Sequence, residues 1–424
     1  MKLIDKPSQT SWSALMQRPK IEQLILEKTV GDVLKTVQQK GDQALMQYTR
    51  EFDGIELTNL TASSDELNAG SEQVSTELKE AIEVAYANIY AFHKSQQLAE
   101  SVVETSTGVV CWRKSLPIEK VGLYIPGGSA PLFSTILMLG IPAQIAGCKE
   151  LILCTPPDKN GNINPAICYA AQRVGIRNVF KIGGAQAIAA MAYGTETIPQ
   201  VYKIFGPGNQ YVTKAKELIQ QNGIAIDMPA GPSEVLIIAD ESCRPDFVAA
   251  DLLSQAEHGA DSQVILLTDS LDVAMACMLK IETQLEELPR KALALKALNN
   301  SKTIVLNNLD ECMEFSNAYA PEHLILATKN ARELAESVMN AGSVFIGNYS
   351  CESAGDYASG TNHTLPTNGF AKSYSGVSLD SFVKKITFQE LTQEGLNQIG
   401  QAIETMAEAE QLFAHRNAVT VRLK

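Results

Sequence analysis

The sequence predicts an α/β protein with two successive sets of alternating strands and helices and a separate C-terminal tail. In the first set, which starts at Val121, short apolar runs end at Gly-rich turns and lead into helical patterns. From Val235 onward the alternation repeats. Hydrophobic residues at 45% and charged residues at 20% are ordinary for a globular protein, and 424 residues suffice for more than one core.

The N-terminal part, residues 20–97, has apolar residues at helical spacing and carries no recognisable chemistry. The first α/β set follows, with predicted strands at 121–126, 151–155, 179–182 and 224–227 and predicted helices at 132–146, 165–174, 185–193 and up to about 220. Gly-rich turns at 127–129, 183–184 and 206–208 indicate a parallel sheet with ligand-binding loops at its carboxyl edge. No G-x-G-x-x-G occurs, so these turns are weak evidence for a nucleotide, and ordinary tight turns explain them equally well.

The second α/β set has predicted strands at 235–239, 264–268, 303–306, 324–327 and 343–346 and predicted helices at 246–257, 271–285, 309–319 and 331–341. Two adjacent α/β domains imply a cleft between them. Residues 348–375 are polar and rich in Gly, Ser, Thr and Asn, which predicts a long functional loop. The tail combines a strand-like run at 384–388, a helix at 395–415 and a strand-like run at 418–422.

Charge and composition exclude several classes of function. A net charge of −13 disfavours nucleic acid as a partner. The chain has no apolar run long enough for a membrane span and starts without a signal-peptide pattern, so we expect a cytoplasmic protein. The eight cysteines show no metal or disulfide spacing. Cys148 and Cys154 could serve aldehyde chemistry as thiolates, but no His or Arg stands near either in sequence to lower its pKa.

A candidate metal site starts at residues 251–262, which are typical of a helix that ends at Gly259. Gln255 and His258 are three residues apart and would project from one helical face. Pro321 precedes Glu322 and His323 at a predicted strand start, where an irregular backbone could turn both side chains to one substrate as an acid/base pair. A Glu-His dipeptide is, however, more often a solvated loop pair.

Further imidazoles and carboxylates lie in the polar loop and the tail. Asp356 and His363 belong to the loop, although an Asx-type turn with a surface histidine would explain them as well. His415 near the end of the tail helix is also explained by the helix dipole. Two imidazoles, a carboxylate and an amide would form an open zinc site, but spacing alone does not select its members over His323 and His363.

Six segments together resemble the histidinol dehydrogenase family. They read VGLYIPGG at 121–128, FGPGN at 205–209, IDMPAGPSE at 226–234, SQAEH at 254–258, PEHL at 321–324 and SAGDYASGTNH at 353–363. The resemblance extends from about residue 20 to 422, and its motifs are highly specific. It implies a fold of two incomplete Rossmann-like domains with a small C-terminal dimerisation tail.

The resemblance also implies domains and residue roles. The implied division is an N-terminal segment of the tail at 1–19, a helical part of the catalytic domain at 20–117, an NAD-binding domain at 118–234, a catalytic, zinc-binding domain at 235–375 and the dimerisation tail at 376–424. Zinc would be bound by Gln255, His258, Asp356 and His415. The acid/base pair would be Glu322 and His323, L-histidinol would also contact Ser233, His363 and Glu410, and NAD would contact Tyr124, Gln186 and Asn209.

The activity implied is the oxidation of L-histidinol to L-histidine with two NAD and one zinc per site, in a homodimer whose active site is shared. Two other classes of protein remain open. A metallohydrolase could use the same ligands with a zinc-bound hydroxide. A non-catalytic small-molecule binding protein would also have two α/β domains and a cleft, but it would not need an acid/base pair beside a metal.

Overall fold

The structure is a computed structural model that describes residues 1–19, 23–127 and 131–424. Lys20, the expected start of the helical part, and the turn residues Gly128 and Ser129 lie outside the described residues. The N-terminal part contains strand β1 (Lys2–Asp5) and helices α1 (Trp12–Leu15), α2 (Gln23–Lys40), α3 (Asp42–Tyr48), α4 (Ser64–Glu72) and α5 (Thr76–Lys94). A hairpin of strands β2 (Val102–Ser106) and β3 (Val109–Pro117) follows.

The first α/β unit is a five-stranded parallel sheet in the order β6-β5-β4-β7-β8. Its elements are β4 (Lys120–Tyr124), α6 (Phe133–Ala146), β5 (Glu150–Thr155), α7 (Pro165–Arg173), β6 (Asn178–Lys181), α8 (Gly184–Tyr193), β7 (Lys203–Phe205), α9 (Gln210–Gln220) and β8 (Ala225–Ile226). Helices cover both faces of the sheet, which explains why its strands read as continuous apolar runs. The strand order reverses direction between β4 and β7, where ligands of such sheets bind.

The second α/β unit is a six-stranded parallel sheet in the order β1-β11-β10-β9-β12-β13. Its further elements are β9 (Glu234–Ala239), α10 (Pro245–Ala256), β10 (Gln263–Thr268), α11 (Leu271–Glu287), α12 (Lys291–Asn299), β11 (Lys302–Val305), α13 (Leu309–Tyr319), β12 (His323–Ala327), α14 (Ala331–Ala335), β13 (Ser343–Ile346) and α15 (Glu352–Tyr357). The two successive α/β units confirm the predicted fold class.

The tail consists of β14 (Val383–Leu391), α16 (Gln393–Ala409) and α17 (Phe413–Leu423). Strand β14 pairs antiparallel with β3, so that the tail and the hairpin form one three-stranded sheet. None of the helices in the described part of the chain is long and apolar enough to cross a bilayer.

Two segments lie elsewhere than predicted. Residues 1–19 were assigned to the tail, but β1 pairs with β11 at the edge of the six-stranded sheet. The helices within 20–117 were assigned to the catalytic domain, but α2 packs on α8, α4 on α7 and α5 on α6, all around the five-stranded sheet. Their apolar faces therefore complete the core of the first unit, not of the second.

The tail differs from its prediction at the end of its first helix. The expected single helix at 395–415 is broken after Ala409, because Gln411 has a φ of 60° and the Leu412 N–H donates to the Ala407 carbonyl oxygen, as in a Schellman motif. The run at 418–422 is helical, not a strand. Its Val419 is buried, and a Cβ at Gly400 of α16 would contact the Val419 side chain.

Two predictions for the second unit also need correction. The helix expected at 331–341 ends at Ala335, because the Asn317 side chain accepts hydrogen bonds from the backbone N–H groups of Met339 and Asn340 and fixes a turn there. The polar stretch at 348–375 was predicted as a loop, but it contains the short helix α15.

Candidate active site

A cleft of about 1170 Å³ lies between the two sheets. Pro126 and Asn209 line it from the carboxyl ends of β4 and β7 in the first unit. Ser233 and Ser262, which directly precede β9 and β10, line it from the second unit together with His258. The cleft therefore joins the carboxyl edge of one sheet to the amino edge of the other.

Glu322 and His323 are buried beside the start of β12. The backbone is irregular just before them, since Ala320 has a φ of 56° and Pro321 follows. As a result both side chains turn to the same place, with 3.7 Å between Glu322 Oε2 and His323 Nδ1. Glu322 Oε2 accepts a hydrogen bond of 2.8 Å from the backbone N–H of Glu234, so the first residue of β9 holds the pair.

The two nitrogens of His323 have different surroundings. Nδ1 lies 3.2 Å from the carbonyl oxygen of Glu234, to which it can donate a hydrogen bond. Nε2 is buried without a hydrogen-bond partner among the described residues and lies 3.6 Å from Asp356 Oδ1. In the neutral tautomer with the proton on Nδ1, Nε2 is a free acceptor that can take a proton from a substrate.

Burial and neighbouring carboxylates shift the pKa values of this pair. Burial raises the pKa of Glu322 to about 8. Burial lowers the pKa of His323, but the carboxylates of Glu352, Glu322 and Asp356 outweigh this effect and raise it to about 10. Buried acids and bases with such shifts are typical of catalytic sites.

A group of side chains that could hold a metal ion stands next to Glu322 and His323. One ligand atom each from His258, Glu352 and Asp356 lies within 4.8 Å of the other two. Burial raises the pKa of Glu352 well above its ordinary value, and Glu352 Oε2 is buried without a hydrogen-bond partner among the described residues. Burial opposes ionisation of Asp356, yet the neighbouring imidazole of His323 keeps the pKa of Asp356 below the ordinary value. One imidazole and two carboxylates with an unsatisfied oxygen fit a divalent cation such as zinc.

The predicted ligands are brought together only in part. His258 and Asp356 belong to the group, but α10 ends at Ala256, so His258 lies in the following turn and does not share a helical face with Gln255. The Gln255 amide nitrogen lies 3.1 Å from the Glu234 carbonyl oxygen and 3.3 Å from both Glu322 Oε2 and His323 Nδ1. His415 is exposed on α17 and is not a member of the group in the described chain.

The predicted substrate contacts lie in three places. Ser233 lines the cleft. His363 is tied to the group through its Nδ1, which lies 2.9 Å from the backbone carbonyl oxygen of Asp356, while its Nε2 lies 3.0 Å from Thr135 Oγ1. Glu410 is exposed in the tail at the break between α16 and α17.

The predicted NAD contacts lie at the carboxyl ends of strands of the first sheet. Tyr124 is the last residue of β4, Gln186 follows β6 and Asn209 follows β7. The Tyr124 hydroxyl accepts a hydrogen bond of 3.1 Å from the Gly184 N–H, and burial raises its pKa to about 12. Gln186 is buried, with no partner for its Oε1 in the described chain. The Asn209 side chain caps α9 by accepting from two backbone N–H groups, and of these three residues it alone lines the cleft. The unpaired Gln186 Oε1 lies near the start of α8, which follows β6 at the carboxyl edge of the sheet, where ligands of such folds bind.

Three residues of the site were missed from the sequence. Glu352 stands four residues before Asp356 on α15, a spacing that places both on one helical face, but the stretch was read as a loop. Glu234 is buried and forms a two-pronged ion pair with Arg18, one contact of which measures 2.9 Å. No local pattern marks Arg18, because its partner is far away in sequence.

The surroundings of Cys148 and Cys154 do not support thiolate chemistry. Burial raises the pKa of Cys148 to about 11 and that of Cys154 further. Both thiols therefore stay protonated at neutral pH and lack the positive surroundings of a reactive cysteine. All eight cysteines are free.

Comparison with known proteins gives one family. The histidinol dehydrogenase family model matches residues 16–423. Histidinol dehydrogenase of Bacteroides thetaiotaomicron is 59% identical over 423 residues, which cover 100% of this chain and 99% of the relative. That of Escherichia coli K12 is 55% identical over 412 residues, which cover 96% of this chain and 94% of the relative.

The solved structures agree. The crystal structure of histidinol dehydrogenase from Elizabethkingia anophelis has a TM-score of 0.98 at 58% identity and covers 100% of this chain and 98% of that chain. An acetylating aldehyde dehydrogenase from Geobacillus thermoglucosidasius shares the fold alone, with a TM-score of 0.50 at 12% identity, covering 90% of this chain and 94% of that chain. The chain thus belongs to the histidinol dehydrogenase family, whose members are oxidoreductases of histidine biosynthesis.

Proposed function

We propose that this protein is a zinc-dependent enzyme that oxidises L-histidinol to L-histidine through histidinaldehyde and uses two NAD. The observation that carries the proposal is the buried pair Glu322 and His323 beside a group of possible metal ligands that contains His258 and Asp356. Of these four residues, His258 lines the cleft. Asn209, from the sheet edge suited to a nucleotide, lines the same cleft.

Gln255, His258, Asp356 and His415 would hold the metal. When bound, zinc anchors the imidazole and amine of the substrate, and NAD accepts the hydride. Neutralising the carboxylates around His323, as a bound cation does, lowers the pKa of His323 toward the range where its imidazole can accept a proton. Ser233, His363 and Glu410 would orient the rest of the substrate.

His323 acts first as a general base. Its Nδ1 is fixed by the Glu234 carbonyl oxygen, so Nε2 takes the proton of the substrate hydroxyl as the carbon loses a hydride. The products of this step are histidinaldehyde, a reduced NAD and a proton on His323.

Glu322 acts in the second oxidation. Its carboxylate takes a proton from a water molecule, which adds to the aldehyde carbon to give a hydrate. Loss of a second hydride from that carbon, which the second NAD would accept, and of the remaining acid proton then yields the carboxylate of histidine. Burial of Glu322 suits this role, because a pKa near 8 makes the group a stronger base than an exposed glutamate.

Tyr124, Gln186 and Asn209 would bind NAD at the carboxyl edge of the first sheet. The buried Gln186 Oε1 lacks a partner among the described residues and can accept a hydrogen bond from the cofactor. The eight cysteines are free thiols, as is usual for proteins of the reducing cytoplasm, where we place this enzyme.

The active enzyme would be a homodimer in which Glu410 and His415 of one tail complete the partner's site. The tail has large apolar side chains on its surface, with Met406 66%, Phe413 60% and Val421 52% exposed. Such exposure near a polar histidine and glutamate suits an interface.

The test is to follow reduction of NAD with L-histidinol as substrate, before and after removal of metal by a chelator. Two moles of reduced NAD per mole of L-histidine formed, lost on chelation and restored by zinc, are expected. A metallohydrolase would consume no NAD, and a binding protein would turn over no substrate.

A further inference from the structure

Glu352 is a buried carboxylate that the chain leaves incompletely paired. It is 1% exposed, and its Oε2 has no hydrogen-bond partner among the residues that the structure describes. Burial of an ionised carboxylate is unfavourable unless a cation or hydrogen-bond donors compensate it. A cation beside this oxygen would compensate the charge of the ionised carboxylate.

The geometry around Glu352 identifies the kind of group. One ligand atom each from Glu352, Asp356 and His258 lies within 4.8 Å of the other two, so one ion between them can contact all three. Glu352 and Asp356 lie on consecutive turns of α15 and share one face of the helix. Two carboxylates this close repel each other unless a cation lies between them.

His415 is not a member of this arrangement, and the hydrogen-bond contacts of Gln255 involve its amide nitrogen. The amide nitrogen of Gln255 faces the Glu234 carbonyl oxygen and the Glu322 carboxylate. His415 is exposed in the tail. Three donors for a cation are thus present within one chain before either of the other two residues contributes.

We propose that Glu352 is a further protein ligand of the metal site, and that His258, Glu352 and Asp356 of one chain hold a divalent cation before a tail supplies His415. The inference rests on the proposed function, which places a metal beside Asp356 and His258. It adds a carboxylate to that site and implies that the metal binds to one chain before a tail supplies His415.

The test measures zinc affinity in the full-length His415→Ala variant by competition with a chromophoric chelator. In this background we expect Glu352→Gln to weaken zinc binding by at least ~10-fold, as loss of a charged ligand implies. Glu257→Gln is the matched control, because it removes the same charge next to His258 from a residue outside the ligand group. We expect it to change the affinity by less than ~2-fold.

A second readout is independent of affinity. With Co²⁺ in place of zinc, Glu352→Gln should alter the visible absorption of the bound metal, whereas Glu257→Gln should leave it unchanged. If Glu352→Gln proves unfolded by circular dichroism, Glu352→Asp keeps the charge but withdraws the carboxylate, and it should weaken binding in the same way.

Equal effects of Glu352→Gln and Glu257→Gln on both readouts would overturn the role of Glu352, since they would reflect charge alone. The metal site itself is tested separately by His258→Asn and Asp356→Asn. If these variants bind zinc as tightly as the unaltered protein, the proposed function fails. If they lose zinc while Glu352→Gln keeps it, only the inference about Glu352 fails.

Discussion

At the scale of single residues, His323 has one ring nitrogen held by the Glu234 carbonyl oxygen and the other free to accept a proton. We expect His323→Ala and Glu322→Gln to lower kcat by roughly 100- to 10,000-fold while L-histidinol still binds, because in the proposed mechanism these groups move protons and the metal holds the substrate. Steady-state kinetics and calorimetric titration with L-histidinol separate the two effects. Glu333→Gln, exposed on α14, is the control. Loss of binding with an intact first oxidation in His323→Ala would refute its role as base.

His258 carries the imidazole of the metal-ligating group, and no other residue of that group can replace its nitrogen. His258→Asn is expected to weaken zinc binding by roughly 10- to 1000-fold. Metal content after dialysis and competition with a chelator measure this change. Wild-type protein treated with the chelator should lose activity and regain it with zinc. Full activity of a verified metal-free sample would contradict the metal's role.

At the scale of elements, Gly206 controls how closely β4 and β7 approach at the edge where NAD is expected. Its φ is 132°, and a Cβ at this position would lie 2.1 Å from the Tyr124 carbonyl oxygen. Gly206→Ala combines backbone strain with a steric clash and should destabilise the fold by about 2–5 kcal/mol. Gly147→Ala is the matched control, because Gly147 has a φ of 84° but nothing within 4 Å of its Cβ position. Gly147→Ala should lower the free energy of unfolding, measured by urea denaturation, by only about 1–2 kcal/mol. Equal costs would mean that the contact with Tyr124 is unimportant.

Most strands of the two sheets were predictable because parallel strands covered by helices on both faces must be apolar throughout, as β9 is over its whole length after Glu234. The strand β1 at the sheet edge was not predicted, because it has no fully buried residue. The break of the tail helix could not be predicted, because the residue with left-handed backbone that ends the helix is Gln411 and not a glycine. The acid/base pair could be proposed from Pro321 and its neighbours. The proposed metal ligands could not be selected from spacing, because tertiary structure alone brings Asp356 to His258.

At the scale of the whole molecule, the proposed sharing of the site depends on where the tail lies. Two inactive variants, His323→Ala and His415→Ala, should restore activity when they are unfolded and refolded together. If tails reach the partner's site, each mixed dimer has one site with both lesions and one with neither, so about a quarter of the wild-type activity is expected from a statistical mixture of dimers. Each variant refolded alone is the control. A mixture that forms mixed dimers but stays inactive would show that each tail serves its own chain.

Strand β14 is paired with β3 residue by residue, from Val383 opposite Pro117 to Leu391 opposite Val109. Deleting one residue within β14 must either exchange the two faces of the strand or pull the start of α16 back by about 3.4 Å. Either change displaces His415, although no residue of β14 is expected to touch substrate. In the proposed dimer, the length of this strand would set how far the tail reaches. That length in residues would then matter to catalysis more than the identity of the strand's side chains.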